Sequence, residues 1–164
     1  MARTSGFVIL ALVAGLIIGF FARDLKPERR LRSDARTKDL AAIEKLHKAD
    51  VEVTLPQDPD ALTELFSDNA VNLVFPTPAV GKKAIHEGFQ KFRVENPDFR
   101  VLKYAADIKE VQVVDDWAIE VGYFEATYKL SAKGDPVHFP RAPGMRVLKR
   151  QSDGSWKFAL VGLK

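Results

Sequence analysis

The spacing of apolar positions changes along this chain and divides it into three stretches. Gly6 to Ala22 carries no charged residue. From Asp34 to about Val94, apolar residues recur every three or four positions, as on one face of a helix. From Phe99 onward the spacing falls towards two, and β-branched and aromatic residues dominate.

In the middle stretch, Leu40, Ile43, Leu46 and Val53 mark a helix from Asp34 to about Val53, ended by Pro56. A short helix starts at Asp58 with Pro59 at its first position and carries Leu62, Leu65 and Phe66. Ser67-Asp68-Asn69 reads as a turn, Ala70 to Phe75 as a strand, and Pro76-Thr77-Pro78 as its end. Lys82 to about Val94 is a third helix, with Ile85, Phe89 and Phe92 on one face and Asn96-Pro97 behind it. In the last stretch, Phe99 to Val114 holds one or two strands. Trp117 to Leu130 is a long strand near the middle of the sheet. Gly144 to Arg150 and Trp156 to Leu163 form a hairpin around the Asp153-Gly154 turn. Pro136 to Pro140 reads as an edge strand or a loop. The fold class is therefore α+β: a curved antiparallel sheet covered by three N-terminal helices. Together they form a cone that can hold a pocket.

The apolar stretch Gly6–Ala22 is seventeen residues long. That is the short end for a membrane-spanning helix and long for the apolar part of a signal peptide. Phe20-Phe21-Ala22 lacks the small residues a cleavage site wants. Val13-Ala14-Gly15 has them but leaves only a short apolar run before it. The expectation is an uncleaved membrane anchor preceding the domain, with a cleaved signal as the alternative. Arg23, Lys26, Arg29, Arg30 and Arg32 follow the anchor, and the positive-inside rule then favours a cytoplasmic domain. Export would leave these five basic residues outside, and the side of the membrane stays open between cytoplasmic and extracytoplasmic. Residues 1–32 are thus anchor and basic linker, and residues 33–164 are one domain.

Charge divides along the same boundary. Residues 1–32 hold six Lys/Arg and two Asp/Glu, whereas residues 33–164 hold nineteen and twenty. The basic balance belongs to the linker, so the domain gives no case for nucleic-acid binding. The chain has no cysteine, which excludes disulfides, thiolate nucleophiles and Cys-ligated metals.

Asp58-Pro59-Asp60-Ala61-Leu62, Leu65-Phe66-Ser67-Asp68-Asn69-Ala70-Val71, Gly81-Lys82-Lys83-Ala84-Ile85, Trp117-Ala118 and Gly154-Ser155-Trp156-Lys157 fall in a telling order and spacing. Together they resemble the SnoaL-like / DUF4440 branch of the nuclear transport factor 2-like superfamily, over about residues 38–164. The resemblance implies a curved-sheet cone with three helices (the nuclear transport factor 2-like or cystatin-like fold), often dimeric through the sheet's outer face. The superfamily contains isomerases, dehydratases, polyketide cyclases and non-catalytic binders, so fold alone does not decide function.

Ketosteroid isomerase relatives carry an aspartate base on the first strand, and its place here is Val74. The place of their second acid is Arg146, and that of their first-helix tyrosine is Asp50. Valine cannot move a proton, and arginine cannot act as a neutral acid. Steroid isomerisation by that mechanism is not expected.

A different set of residues remains. Asp50 interrupts the apolar stripe of the first helix, with His47 one turn before it. If that face looks into the cone, the two form an acid–base pair; the competing position is the solvated rim. Counting from Gly154 puts Arg146 in the pocket, while the alternation of Met145 to Arg150 puts Val147 there instead. Inside, Arg146 would need a carboxylate partner or an anionic ligand. Tyr104 and Tyr123 are strand aromatics whose default is packing, with a hydroxyl in the pocket as the alternative. Glu120 and Glu125 have opposite parity, so both can face inward only across a bulge. No two histidines have metal-ligand spacing, and neither a metal nor a cofactor is expected.

Three functions follow. The first is a membrane-anchored domain binding a small apolar or carboxylate-bearing ligand through Arg146, Tyr104, Tyr123 and Val74. The second is a scaffold or homodimer with a filled cone. The third is an isomerase- or lyase-type enzyme using Asp50 and His47.

Overall fold

The structure, a computed structural model, describes residues 34–74 and 76–163. The chain divides at Lys38/Asp39, and the unit considered below is Asp39–Lys164. The apolar segment 6–22 and the linker to residue 32 lie outside the described residues. Among the described residues no helix is long and apolar enough to cross a membrane.

Helix α1 covers residues 34–54. Its buried face reads Asp39, Ile43, Leu46, Asp50, while Leu40 is exposed. Four- and three-residue steps keep these side chains on one face, so two carboxylates bracket an apolar centre. Helix α2, Pro59–Glu64, starts where the Asp58 side chain accepts a hydrogen bond from the Ala61 N–H at 2.9 Å, with proline at its first position. Helix α3, Lys82–Glu95, buries Ile85 and Phe89.

The strands are β1 (Phe66–Asn72), β2 (Ala79–Val80), β3 (Arg100–Val114), β4 (Trp117–Lys129), β5 (Val137–Arg150) and β6 (Trp156–Leu163). They form one sheet in the order β2-β1-β6-β5-β4-β3. β3 to β6 are an antiparallel meander with β4 inside it. The fully antiparallel sheet expected from the sequence is corrected at the other end, because β1 runs parallel to β6. The helical connection between β1 and the meander allows that direction, whereas the short turns within the meander do not. β1 also starts earlier than expected. Phe66 pairs with Phe158 and Val71 with Leu160, so Ser67-Asp68-Asn69 is an irregularity within the strand and not a turn after a helix. Phe66 is held there by its edge-on contact with Phe158, ring centres 5.7 Å apart, inside the core.

β5 is longer than the expected Gly144–Arg150. Its first half pairs only with β4 and is open on the β6 side, and Pro140 and Pro143 fall in this half. At Gly122 a β-carbon would sit 2.6 Å from the Asp107 carbonyl, so glycine permits a close approach of β3 to β4 beside the β3 irregularity at Ile108–Glu110. Such irregularities increase strand bending and twist, and the sheet's concave face cups the helices. Along β4, Ala118, Glu120 and Phe124 are buried, while Trp117, Ile119, Val121 and Tyr123 are exposed on the outer face.

Candidate functional site

Helix α1 and strands β3, β4 and β5 meet at a buried polar cluster. Arg146 is 2% exposed. Its Nη1 donates to Asp50 Oδ2 at 2.7 Å, and its Nε donates to Glu120 Oε1. Asp50 Oδ2 also accepts the Tyr104 hydroxyl at 3.0 Å. Glu120 Oε2 meets His47 Nε2 at 2.6 Å. His47 reaches towards the surface, where its Nδ1 is 3.7 Å from Glu44. The guanidinium carbon of Arg146 lies 4.9 Å from the Phe124 ring centre and 4.5 Å from that of Phe158. Nη2 of Arg146 has no partner among the described residues.

Burial alone would push the Glu120 carboxyl up. The His47 hydrogen bond and the Arg146 charge outweigh that and hold it below its ordinary range. Burial works against the Arg146 cation too, and Asp50 and Glu120 outweigh it, so its pKa is raised. Burial first, then the Asp50 charge, pushes the Tyr104 hydroxyl far up, so Tyr104 is a fixed neutral donor.

Beside the cluster is a cavity of about 630 Å³. Asp50, Tyr104 and Arg146 line one part of it, and Phe92, Phe99, Phe124, Phe139 and Phe158 supply much of the apolar wall. Val74, at the position of the isomerase base, lines it as well. Tyr123 does not: it is on the outer face, with the Arg141 guanidinium 3.9 Å over its ring. The parity of β4 accounts for this, since Tyr123 alternates with the inward Phe124. His47 is also absent from the cavity wall. It does not pair with Asp50 as expected; Glu120 and Arg146 stand between them.

Arg146 therefore occupies the inward position that counting from the turn glycine indicated, and Glu120 is the residue that sequence reasoning left without a role. The available signal was its place among Ala118, Gly122 and Phe124, a lone charge on an otherwise apolar face. Glu125 also reaches the cavity, across the irregularity in β4–β5 pairing between Phe124 and Ala126. Of the remaining histidines, His86 bonds Asp60 at 2.7 Å near the surface, and His138 is on β5 opposite Thr127. Among the described residues no three His, Asp or Glu side chains converge as metal ligands.

The sequence profile of the SnoaL-like domain matches residues 48–158. No curated protein matches the chain significantly. Among solved structures, a ketosteroid isomerase-like protein from Erwinia carotovora atroseptica is 26% identical, with a TM-score of 0.61, over 75% of this chain and 92% of that one. Aln2 from a Streptomyces species is 17% identical, with a TM-score of 0.63, over 76% and 88%. ActVI-ORFA from Streptomyces coelicolor is 13% identical, with a TM-score of 0.62, over 76% and 95%. The two Streptomyces structures share the fold with this chain.

Because the folded-state pKa of Glu120 is depressed, its ion pairs stabilise the fold above the ordinary carboxylate value of 4.5. That stability is lost as pH falls through the lowered folded value. Glu120→Gln is expected to flatten the dependence of urea-unfolding free energy on pH below about 4.5. An unchanged slope in this acid range counts against a charged, paired Glu120.

Proposed function

The chain belongs to the SnoaL-like domain family, and we propose that its cone binds a small, largely apolar molecule ending in a neutral hydrogen-bond acceptor such as a carbonyl. The observation that carries this reading is an aromatic-walled cavity of about 630 Å³ whose polar end has one guanidinium facing two carboxylates. The volume falls within the range of about 300–1,000 Å³ common for small-molecule sites. Arg146 is already doubly paired, so an anionic ligand would bring a third negative group to one buried cation at a further desolvation cost. A neutral acceptor brings no further charge to a cation that already faces two carboxylates. This favours a ketone over the carboxylate first expected from Arg146 alone.

The same pairing argues against Asp50 as a catalytic base. Its Oδ2 already accepts from both Arg146 and Tyr104. The open cavity also argues against a scaffold with a filled cone. With 4-acetylbiphenyl and biphenyl-4-carboxylate as probes, the ketone is expected to raise the melting temperature by several degrees at saturating concentration and the carboxylate to do so less. Equal stabilisation by the carboxylate, or none by the ketone, would overturn this reading.

The exposed Trp117, Ile119 and Val121 of β4, with Met145 of β5 beside them, support self-association through the outer face of the sheet. Light scattering on Ile119→Lys should then report a monomer where the parent chain is a dimer; the same mass for both would refute the dimer. Attachment to a membrane through residues 6–22 rests on their uncharged sequence. The full chain is expected in the membrane fraction and a chain lacking residues 1–32 outside it. Recovery of both in the soluble fraction would dismiss the anchor.

A further inference from the structure

Helix α1 contributes more to the cavity than Asp50. Thr54 and Gln57 line it too, four and seven positions further on. Those steps keep all three on one side of the helix and the turn that ends it. Thr54 brings a hydroxyl to the cavity wall. Gln57 donates its Nε2 to the Thr54 carbonyl, and its Oε1 is an acceptor. Gln57 is 8% exposed, so its amide is a nearly buried polar group against an apolar cavity. Its backbone has a φ of +58°, in the left-handed region that glycine favours. A long polar side chain held in that conformation, within a cavity wall, is the kind of outlier that calls for a role.

We infer that the cavity contains a second polar subsite, formed by the Thr54 hydroxyl and Gln57 Oε1, that takes a hydroxyl group at the far end of the ligand. The inference rests on the binding function proposed above and specifies its ligand further. A ligand hydroxyl donates to Gln57 Oε1 and accepts from Thr54 Oγ1. Thr54 is one helical turn, about 6 Å along the axis, beyond Asp50, and Gln57 lies three residues further on in the turn that ends the helix. The wall of the same cavity includes Phe92, Phe99, Phe124 and Phe158. The ligand class is then a flat, ring-containing molecule about two rings long, with a carbonyl at one end and a hydroxyl at the other.

Titration calorimetry on the full-length chain, with 4-acetyl-4′-hydroxybiphenyl against 4-acetylbiphenyl, tests the subsite. The two rings of the first probe set its hydroxyl and carbonyl oxygens at opposite ends. Its hydroxyl is expected to tighten binding about tenfold, the value of one well-formed hydrogen bond. In Thr54→Val and in Gln57→Gly, the latter a residue suited to the local φ, the two probes should bind with more nearly equal affinity. If 4-acetylbiphenyl binds and the hydroxyl adds nothing, or if its gain survives in both variants, the subsite is refuted while the binding cone stands. If neither probe binds, both proposals fall.

Discussion

A buried guanidinium cannot stay unpaired, and much of this domain is arranged around that requirement. Arg146 sits on the concave face of β5, and its neighbour on the same face, four residues on, is Arg150. Helix α1 presents a carboxylate to each. Asp50 meets Arg146 at 2.7 Å, and Asp39 meets Arg150 at 2.8 Å. Eleven residues of helix span about 16 Å, and four of strand about 13 Å. Side-chain reach closes the difference, so two ion pairs fix α1 antiparallel to β5. Between them Ile43 and Leu46 complete the apolar contact with the core. Breaking a buried pair by removing one partner typically costs about 3–5 kcal/mol, because the other charge is left behind. These pairs therefore constrain the angle and register of the helix more than they add net stability.

The order of the elements was legible in the sequence because local signals agreed. Asp58-Pro59 starts α2, Gly81 precedes α3, and Asp153-Gly154 makes the last turn. What was not legible depends on contacts distant in sequence. The parallel pairing of β1 with β6 joins segments some ninety residues apart, and no local pattern encodes strand direction. The start of β1 at Phe66 is set by Phe158, against the apparent turn at Ser67-Asp68-Asn69. Leu40, expected on the buried stripe of α1, is exposed, and Asp39 takes the inward place because Arg150 waits there.

The site was legible in the same uneven way. Arg146 could be placed inside by counting from Gly154, while its own polarity argued for the outside. Deciding between them needed the partners, and Glu120 is the nearest. Parity along β4 puts Glu120 and Phe124 inward and Tyr123 outward, so one strand supplies both a ligand of the cluster and a wall of the cavity. The irregularity after Phe124 then breaks the alternation and lets Glu125 reach the cavity as well. Such an insertion leaves no mark in the residue types around it.

The effect of one residue, Arg146, propagates through the rest of the site. With arginine at position 146, buried on β5, the cone contains a fixed positive charge. Two carboxylates are needed to accommodate it, and they come from α1 and β4. Asp50 thereby becomes a partner of Arg146, further fixed by a tyrosine that stays neutral. Glu120 passes the contact on to His47 and out to the surface. Asp50, Tyr104 and Arg146 reach the cavity wall already bonded to one another, and Val74 beside them carries no titratable group. Every titratable group drawn into this cluster is tied to an oppositely charged or hydrogen-bonding neighbour. One buried cation thus sets the partners, and with them the positions, of side chains from the helix and three strands around a single apolar cavity.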